Sequence, residues 1–384
     1  LPKQDKKITS SPILLDMKSG INYVFSNRVI GILLATYGLF TFLCVAILSS
    51  FSQQKIDILG NAGKEQEIKL SEVAKSVRVI PLETTEECLL GTDLKIYYGE
   101  EYIFVCDQRQ PGAFYRFSKD GKFLNKIGCS GEGPEEYIRS LSFSVDEDKK
   151  ELWVVDSRGN NFVIYSYDGK FMRKIPIHNA YTYQVVLREN DIIYANNMFY
   201  HSSKNYELLR ASRQDGKLIQ RVRSTVPEDY KIRLLLREPL LYTYQNEVYY
   251  KNPLKNVICV LRDGLKQYRR YELNIGMVDN ENRDDYFNPK KNRNMINIAG
   301  VYETEDFLLF FYGYKEKAYW MLCSKQDWMC KANNYEDCFT DDLSPSEEKF
   351  VCRSFTSVTQ RHLISIREDK EGDANPTLLV AELK

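Results

Sequence analysis

Charged and amide side chains recur in this sequence just after short alternating apolar runs, where strands are expected to end. Three of them are arginines, whose planar guanidinium can engage two oxygens at once and so suits carboxylate, phosphate or sulfated-glycan groups. Aspartate and asparagine also cap turns at strand ends, which is the structural alternative for each of them. The candidate ligand-binding residues are Asp107, Arg109, Asp156, Arg158, Asn160, Asn197, Lys251 and Arg367.

Other chemistry-bearing residues do not form a recognisable motif. The nine cysteines form no C-x-x-C pair, and the three histidines have no spacing suited to zinc or to a Ser-His-Asp triad. The glycine-rich stretch at residues 128–134 lacks the G-x-G-x-x-G order and precedes an expected strand instead of a helix. We therefore predict no metal and no cofactor, and the catalytic residues stay unknown.

A repeated Asp-Gly pair reveals the elements that position the candidate residues. It occurs at residues 120–121, 168–169, 215–216 and 263–264, in steps of 48, 47 and 48 residues. Asp-Gly between alternating apolar runs is typical of a type I′ β-hairpin. A period of this length made of short strands indicates a β-propeller with one four-stranded blade per repeat.

The strand pattern predicts six blades in a single domain. In the second repeat the expected strands are residues 141–145, 151–156, 162–167 and 170–175. Two further blades follow the last Asp-Gly pair, with strands at 306–312 and 318–324, then at 362–368 and 377–383. Residues 77–82 precede the first blade, and we expect them to complete the last blade and remove its open edge. We predict an all-β, six-bladed propeller with four-stranded blades at residues 77–384.

The N-terminal region predicts a membrane-insertion helix. Residues 29–50 contain no charge, and 22 residues are enough to cross a bilayer core that needs roughly 20. Lys18 and Arg28 precede this segment, which places residues 1–28 in the cytoplasm and the propeller outside it. Met17 is an alternative start that would leave residues 1–16 upstream. Residues 51–76 are expected to be a linker, and cleavage near Ser52 is the alternative to an uncleaved anchor.

Bulk charge and cysteine positions limit the partners. Lys plus Arg and Asp plus Glu are both 53, so no nucleic-acid partner is predicted. The membrane is predicted to be contacted through the N-terminal segment only. Cys323 and Cys330 would face each other in a tight hairpin, so a cross-strand disulfide and two buried thiols both remain open.

Three stretches resemble a known family: VRVIPLETTEECLLG at 77–91, DGKFLNKIG at 120–128 and G-x-G-P-E-E-Y at 131–137. They look like the exported six-bladed NHL-like β-propellers of anaerobic Gram-negative gut bacteria, and residues 152–175 resemble a single NHL repeat. The resemblance covers residues 77–384. It implies an exported location, facing the periplasm or cell exterior. Many such proteins are lipoproteins, but Cys44 lacks the small preceding residue that lipidation requires.

These observations favour a membrane-tethered or secreted binding or scaffold module for a peptide, protein or glycan ligand. The alternative is a funnel-type propeller enzyme, a lyase or hydrolase acting on sugars or lactones, because propeller active sites are assembled from residues distant in sequence. Converging acidic, basic or metal-ligating residues would indicate the enzyme. An aromatic and arginine-rich rim would indicate the binding module.

The predicted export can be tested with a reporter fused after Lys384. We expect activity only in an extracytoplasmic compartment, and we expect Leu34→Arg with Leu39→Arg to block export. Each central charge costs roughly 2.5 to 3.5 kcal/mol on insertion scales. Reporter activity confined to the cytoplasm would contradict the prediction.

Overall fold

The structure, a computed structural model, describes residues 54–108, 113–178, 181–197, 206–224, 239–276, 294–344, 349–352, 361–369 and 372–384. They form an all-β, six-bladed propeller with four-stranded blades, as predicted. The predicted membrane segment at 29–50 and the tail at 1–28 lie outside the described residues. Within the described ranges, no helix is both long and apolar enough to span a membrane.

The first three blades are four-stranded antiparallel meanders in which each strand pairs with the next one along the chain. Both faces of the second strand of blade two, Glu151–Asp156, are buried along its whole length, because each blade is covered by a neighbour on either side. The strands are β3 (Leu94–Tyr98), β4 (Tyr102–Asp107), β5 (Ala113–Ser118), β6 (Phe123–Ile127), β7 (Ser140–Asp146), β8 (Glu151–Asp156), β9 (Asn161–Ser166), β10 (Phe171–Pro176), β11 (Val185–Leu187), β12 (Asp191–Ala195), β13 (Tyr206–Ser212) and β14 (Leu218–Arg223).

Blades four and five repeat this arrangement. A disulfide joins Cys323 and Cys330, which are direct partners across β21 and β22. Of the two alternatives left open for these cysteines, the structure therefore has the disulfide. The strands are β15 (Leu240–Tyr244), β16 (Glu247–Lys251), β17 (Val257–Arg262), β18 (Lys266–Asn274), β19 (Asn297–Glu303), β20 (Phe307–Tyr314), β21 (Lys317–Ser324) and β22 (Cys330–Asn334).

The sixth blade combines strands from both ends of the domain. Strand β2 (Ala74–Pro81) pairs antiparallel with β26 (Thr377–Leu383), which pairs with β25 (His362–Arg367). The predicted closure by residues 77–82 is thus confirmed. On the inner side, Cys352 forms a β-bridge with Ser365. Two short strands, β23 (Phe339–Thr340) and β24 (Lys349–Phe350), form a separate pair.

Six apolar clusters of described residues hold the blades together, one between each pair of adjacent blades. Successive residues of a strand point to opposite faces, so Leu152 packs toward blade one whereas Trp153 packs toward blade three. Trp153 meets Tyr194 and Leu209 of blade three in the same cluster. Each blade therefore depends on both neighbours for its core.

Residues 54–73, here named the strap, run along the outer edges of blades four and five and lead into the outer strand of blade six. Strand β1 (Gln54–Asp57) adds to β18 in parallel, and α1 (Ile58–Asn61) follows it. The N–H of Gln66 then donates to the Ala332 carbonyl of blade five at 2.8 Å. A short 3₁₀ helix (Leu70–Glu72) leads into β2.

The strap corrects the predicted linker at residues 51–76. Ile56 and Ile58 are buried in the cluster between blades four and five, and Ile68 and Leu70 in the cluster between blades five and six. From Gln54 onwards the chain therefore belongs to the propeller. Four isolated apolar residues in a polar stretch did not predict this, because the surfaces that bury them are formed more than 150 residues later in the sequence.

The Asp-Gly pairs lie in hairpin turns between third and fourth strands, as predicted, but the predicted turn type is wrong for the first three. Type I′ needs positive φ at both central residues. In the first two hairpins only Gly121 (φ 84°) and Gly169 (φ 82°) have it, whereas Asp263 and Gly264 both do. The Gly121 N–H donates to the Ser118 carbonyl at 3.0 Å, which makes a three-residue turn ending in a left-handed glycine.

These glycines also allow close contact between blades. A Cβ on Gly121 would lie 2.1 Å from the Pro81 carbonyl oxygen of blade six, and one on Gly169 would lie 2.8 Å from the Lys126 oxygen of blade one. The Gly121 carbonyl accepts a 2.8 Å hydrogen bond from the N–H of Glu83. The recurring glycine is thus explained by backbone conformation and by the seam with the preceding blade.

Replacing Gly121 by alanine separates these two effects when Gly372→Ala serves as control. Gly372 also has positive φ (76°), but no atom of the described residues, its chain neighbours aside, lies within 4 Å of its Cβ position. We expect Gly372→Ala to lower the free energy of unfolding by about 1 kcal/mol, since a left-handed non-glycine costs roughly 1 to 2 kcal/mol. Gly121→Ala should cost at least about 1 kcal/mol more, because backbone must move. Equal losses in urea unfolding would contradict the seam contact.

Candidate functional site

The described candidate residues lie at one corresponding end of the second strand in five blades. We name the surface formed there by the turns between second and third strands and by the blade connections the turn face; the hairpin face is the opposite one. Arg109 lies outside the described residues. At these strand ends or in the turns that follow lie Asp107, Asp156, Arg158, Asn160, Asn197, Lys251 and Arg367.

Both aspartates anchor the connection that enters their own blade. Asp107 is buried, and its Oδ2 accepts a 2.7 Å hydrogen bond from the Gly91 N–H. Asp156 is also buried and accepts from the N–H groups of Ile138 and Arg139, each at 3.1 Å. A third donor, the Gly159 N–H, lies 2.9 Å from its Oδ1. These carboxylates therefore hold backbone in place.

Asn160 and Lys251 also have structural roles. Asn160 adopts a left-handed conformation (φ 53°), and its carbonyl accepts from the Ile177 N–H at 2.8 Å. Lys251 is buried, with its Nζ 3.3 Å from the Asn252 carbonyl. Arg367 is exposed at the end of β25, opposite Thr377. Asn160 therefore acts as a turn residue, which was the structural alternative to a role in ligand binding.

Arg158 differs from these residues. Its side chain is exposed in the turn between β8 and β9, and it makes no hydrogen bond or ion pair with any described residue. An arginine is not a turn-forming residue, so neither the turn nor the packing accounts for it. Its guanidinium is available to a ligand approaching the turn face.

Asn197 brings a buried amide to the turn face in blade three. Its side chain is 5% exposed, and its Oδ1 accepts from the Tyr183 N–H at 3.3 Å. Its backbone N–H donates to the Tyr181 carbonyl at 2.7 Å. The Nδ2 group has no acceptor within the described chain. An unsatisfied buried donor costs roughly 1 to 3 kcal/mol, so such a group calls for a specific explanation.

Two tyrosines lie beside this amide. The ring centroids of Tyr181 and Tyr183 are 5.1 Å apart in an edge-to-face arrangement, and the Tyr183 hydroxyl donates to that of Tyr181 at 2.8 Å. Neighbouring Asn196 fixes the pair, because its Oδ1 accepts from the Tyr181 N–H at 3.1 Å. We name Tyr181, Tyr183 and Asn197 the tyrosine-amide site.

Asn197 is among the candidate residues predicted from the sequence, whereas the two tyrosines are not. The signal available was Tyr-Thr-Tyr at residues 181–183, directly before the first strand of blade three. The site offers aromatic surface, hydroxyls and one unused amide donor. It lacks an ionised catalytic pair, so its chemistry suits the binding of a polar oxygen.

On the hairpin face, two buried carboxylates, Glu151 and Glu303, are hydrogen-bonded within the described part of the chain. Glu151 receives hydrogen bonds from Arg173 (2.7 and 3.1 Å), Arg213 (2.9 Å) and the Trp153 indole (3.0 Å). Burial alone would raise the pKa of Glu151, but these donors outweigh it and lower the pKa to about 2. Such a network stabilises the seam between blades two and three, and it leaves no unsatisfied carboxylate oxygen for a ligand.

Glu303 is a second buried carboxylate, near the seam between blades four and five. It accepts from Lys325 and from the hydroxyls of Tyr242 and Tyr271, at 2.8, 2.8 and 2.5 Å. Among the described residues, no group of three or more His, Cys, Asp or Glu side chains is arranged to hold a metal ion.

A family model described as a domain of unknown function, DUF4934, matches residues 53–376. No curated protein matches the chain.

Solved structures share the fold. A protein of Bacteroides fragilis described as exported is 15% identical, with a TM-score of 0.66, and the match covers 87% of this chain and 100% of that one. A DUF4221-family member from Bacteroides vulgatus is 9% identical, with a TM-score of 0.53, covering 81% and 97%. Virginiamycin B lyase from Staphylococcus aureus is 11% identical, with a TM-score of 0.42, covering 67% and 74%; this likeness supports no argument about activity.

Alanine substitutions should separate structural from exposed candidates on the turn face. Asp156→Ala leaves three backbone N–H groups without their acceptor, and we expect it to lower the free energy of unfolding by at least about 2 kcal/mol. Arg158→Ala, two residues away, should change it by less than about 0.5 kcal/mol. Chemical denaturation measures both. Similar losses in the two variants would contradict these assignments.

Proposed function

The chain belongs to the DUF4934 family, and for this member we propose an exported β-propeller that binds a peptide, protein or glycan ligand on its turn face. The location is supported by the uncharged segment at residues 29–50 and by the exported protein of Bacteroides fragilis that shares the fold. In this proposal the propeller faces the periplasm or cell exterior. It is tethered by that segment or released by cleavage near Ser52.

The unused Nδ2 donor of Asn197 is the observation that carries the binding proposal. A peptide carbonyl or a sugar hydroxyl placed there would accept its hydrogen bond and remove the cost of an unsatisfied buried donor. Tyr181 and Tyr183 supply aromatic surface beside it, and aromatic side chains provide much of the binding energy at recognition sites.

Arg158 extends the proposed site with charge. It projects from the neighbouring blade on the same face, and its planar donors suit a carboxylate, phosphate or sulfate group on the ligand. Peptides and glycans both present neutral oxygens together with such anions. The hairpin face is a weaker candidate, because Glu151 and Glu303 are satisfied within the chain.

Binding can be tested with arrays of peptides and glycans probed with the purified propeller. For any probe that binds, we expect Arg158→Ala and Asn197→Asp each to weaken affinity by about tenfold or more. Arg158→Ala removes a hydrogen bond to a charged group, which contributes roughly 1.5 to 3 kcal/mol, and Asn197→Asp leaves a buried ligand oxygen without its donor, which costs roughly 1 to 3 kcal/mol. Asn197→Asp keeps the Oδ1 acceptor, replaces the Nδ2 donor by a second acceptor oxygen and adds a negative charge at this buried position.

Matched controls lie on the hairpin face of blade three. Lys217→Ala and Asn190→Asp change exposed residues there and should leave affinity unchanged. If the controls weaken binding while the turn-face variants bind like wild type, the proposed site is wrong. If no probe binds, the binding function itself is rejected for the classes presented on the arrays.

A further inference from the structure

The outer strands of blades one, two and three form a surface that the turn face does not account for. We name β6, β10 and β14 together the basic wall. These strands contain no acidic residue although the whole chain is balanced at 53 cationic and 53 acidic residues. Their cationic residues are Lys126, Arg173, Lys174, Arg221 and Arg223.

The basic wall also exposes apolar side chains at one repeated position. The second residue of each strand is Leu124, Met172 or Ile219, and these are 42%, 47% and 52% exposed. Exposed apolar residues scattered singly need no explanation. Here the same position of three consecutive blades carries one, so chance scatter is a poor account.

Protection of open strand edges explains the cationic residues of the basic wall but not its exposed apolar residues. Cationic side chains on edge strands discourage pairing with other chains, which accounts for Lys126 and Arg221. It does not account for Leu124 or Ile219, because exposed apolar residues on an edge promote association. The register of each outer strand shifts at this position, so Leu124, Met172 and Ile219 are β-bulge residues. The bulge accounts for their exposure but not for an apolar residue at each one. In β6 and β14 an exposed cation, Lys126 or Arg221, lies two positions later.

The strap shows how a blade edge of this protein binds an extended segment. On blade four, β1 pairs with β18, Ile56 is buried, and Lys55 lies 3.9 Å from Glu272. Within the described residues, no strand pairs with the outer edges of β6, β10 or β14. These three edges are equivalent to the edge that β1 covers, and their charges are of the opposite sign to Glu272.

We propose that the basic wall binds an extended, acidic segment of a partner protein, in which apolar and acidic residues recur two positions apart. A segment lying along β6 would cover Leu124 and pair with Lys126, and a segment lying along β14 would cover Ile219 and pair with Arg221. Arg173 contributes less, since Glu151 already engages it. This surface is separate from the turn face, so its failure leaves the binding proposal for that face untouched.

A random peptide display library selected on the wild-type propeller tests the proposal. We expect enrichment of peptides that alternate acidic and apolar residues. Enriched peptides should bind at least about tenfold more weakly to the variant Leu124→Ser, Met172→Ser, Ile219→Ser and to the variant Lys126→Glu, Arg221→Glu. Binding should also weaken with added salt, because the charge pairs are exposed.

Leu89→Ser and Met329→Ser are the matched controls, since both residues are more exposed (57% and 70%) and lie outside the basic wall. They should bind the enriched peptides like wild type. If the triple variant has a lower melting temperature than wild type, Ile219→Ser alone replaces it.

Four outcomes would overturn the proposal: no enrichment, enrichment of peptides without acidic residues, equal binding to the wall variants, or loss of binding in the controls. Binding to phosphatidylglycerol vesicles in place of peptides would assign the wall to a lipid surface and also reject it. Concentration-dependent dimerisation in sedimentation experiments, abolished by the triple variant, would also reject the proposal. The basic wall would then bind a second copy of this chain.

Discussion

Burial of both faces of every blade is the constraint on which the rest of this structure depends. The six apolar clusters are shared between neighbours, so removing one blade exposes two of them. A closed ring satisfies every blade at once. The pairing of β2 with β26 follows from this requirement, because without it blade six would end in an open edge.

Most residues that recur from blade to blade stabilise the closed ring. The hairpin glycines recur because the turn needs a left-handed residue and the preceding blade leaves no room for a Cβ. Asp107, Asp156 and Asn196 recur at the ends of second strands because their side chains hold the incoming connection. Candidate binding groups are therefore those that have no such structural role in the described chain, namely the Arg158 guanidinium and the Asn197 Nδ2 group.

The fold could be predicted from sequence because its signals are local: Asp-Gly spacing, alternating runs and a spare strand at residues 77–82. The strap could not, since Ile56 and Ile68 are isolated in a polar stretch and become buried only against distant blades. The sequence located the strand ends that carry the candidate residues but not the contacts of their side chains. Sequence shows that Asp156 ends a strand, but it does not show the backbone donors that occupy its carboxylate, or that Tyr181 and Tyr183 converge on Asn197.

The composite sixth blade also determines the order in which the protein can be completed. Apart from β1, strand β2 precedes the other strands of all six blades in the chain, yet it pairs with β26, which is synthesised only after the strands of blades one to five. Until β26 is available, β2 has no partner strand, and the blades at the two ends of the incomplete ring each have one uncovered face. Such exposed edges and faces promote aggregation. Contacts so distant in sequence also close slowly. Loss of β26 should therefore be far more damaging than its seven residues suggest, because β2 would keep an open edge.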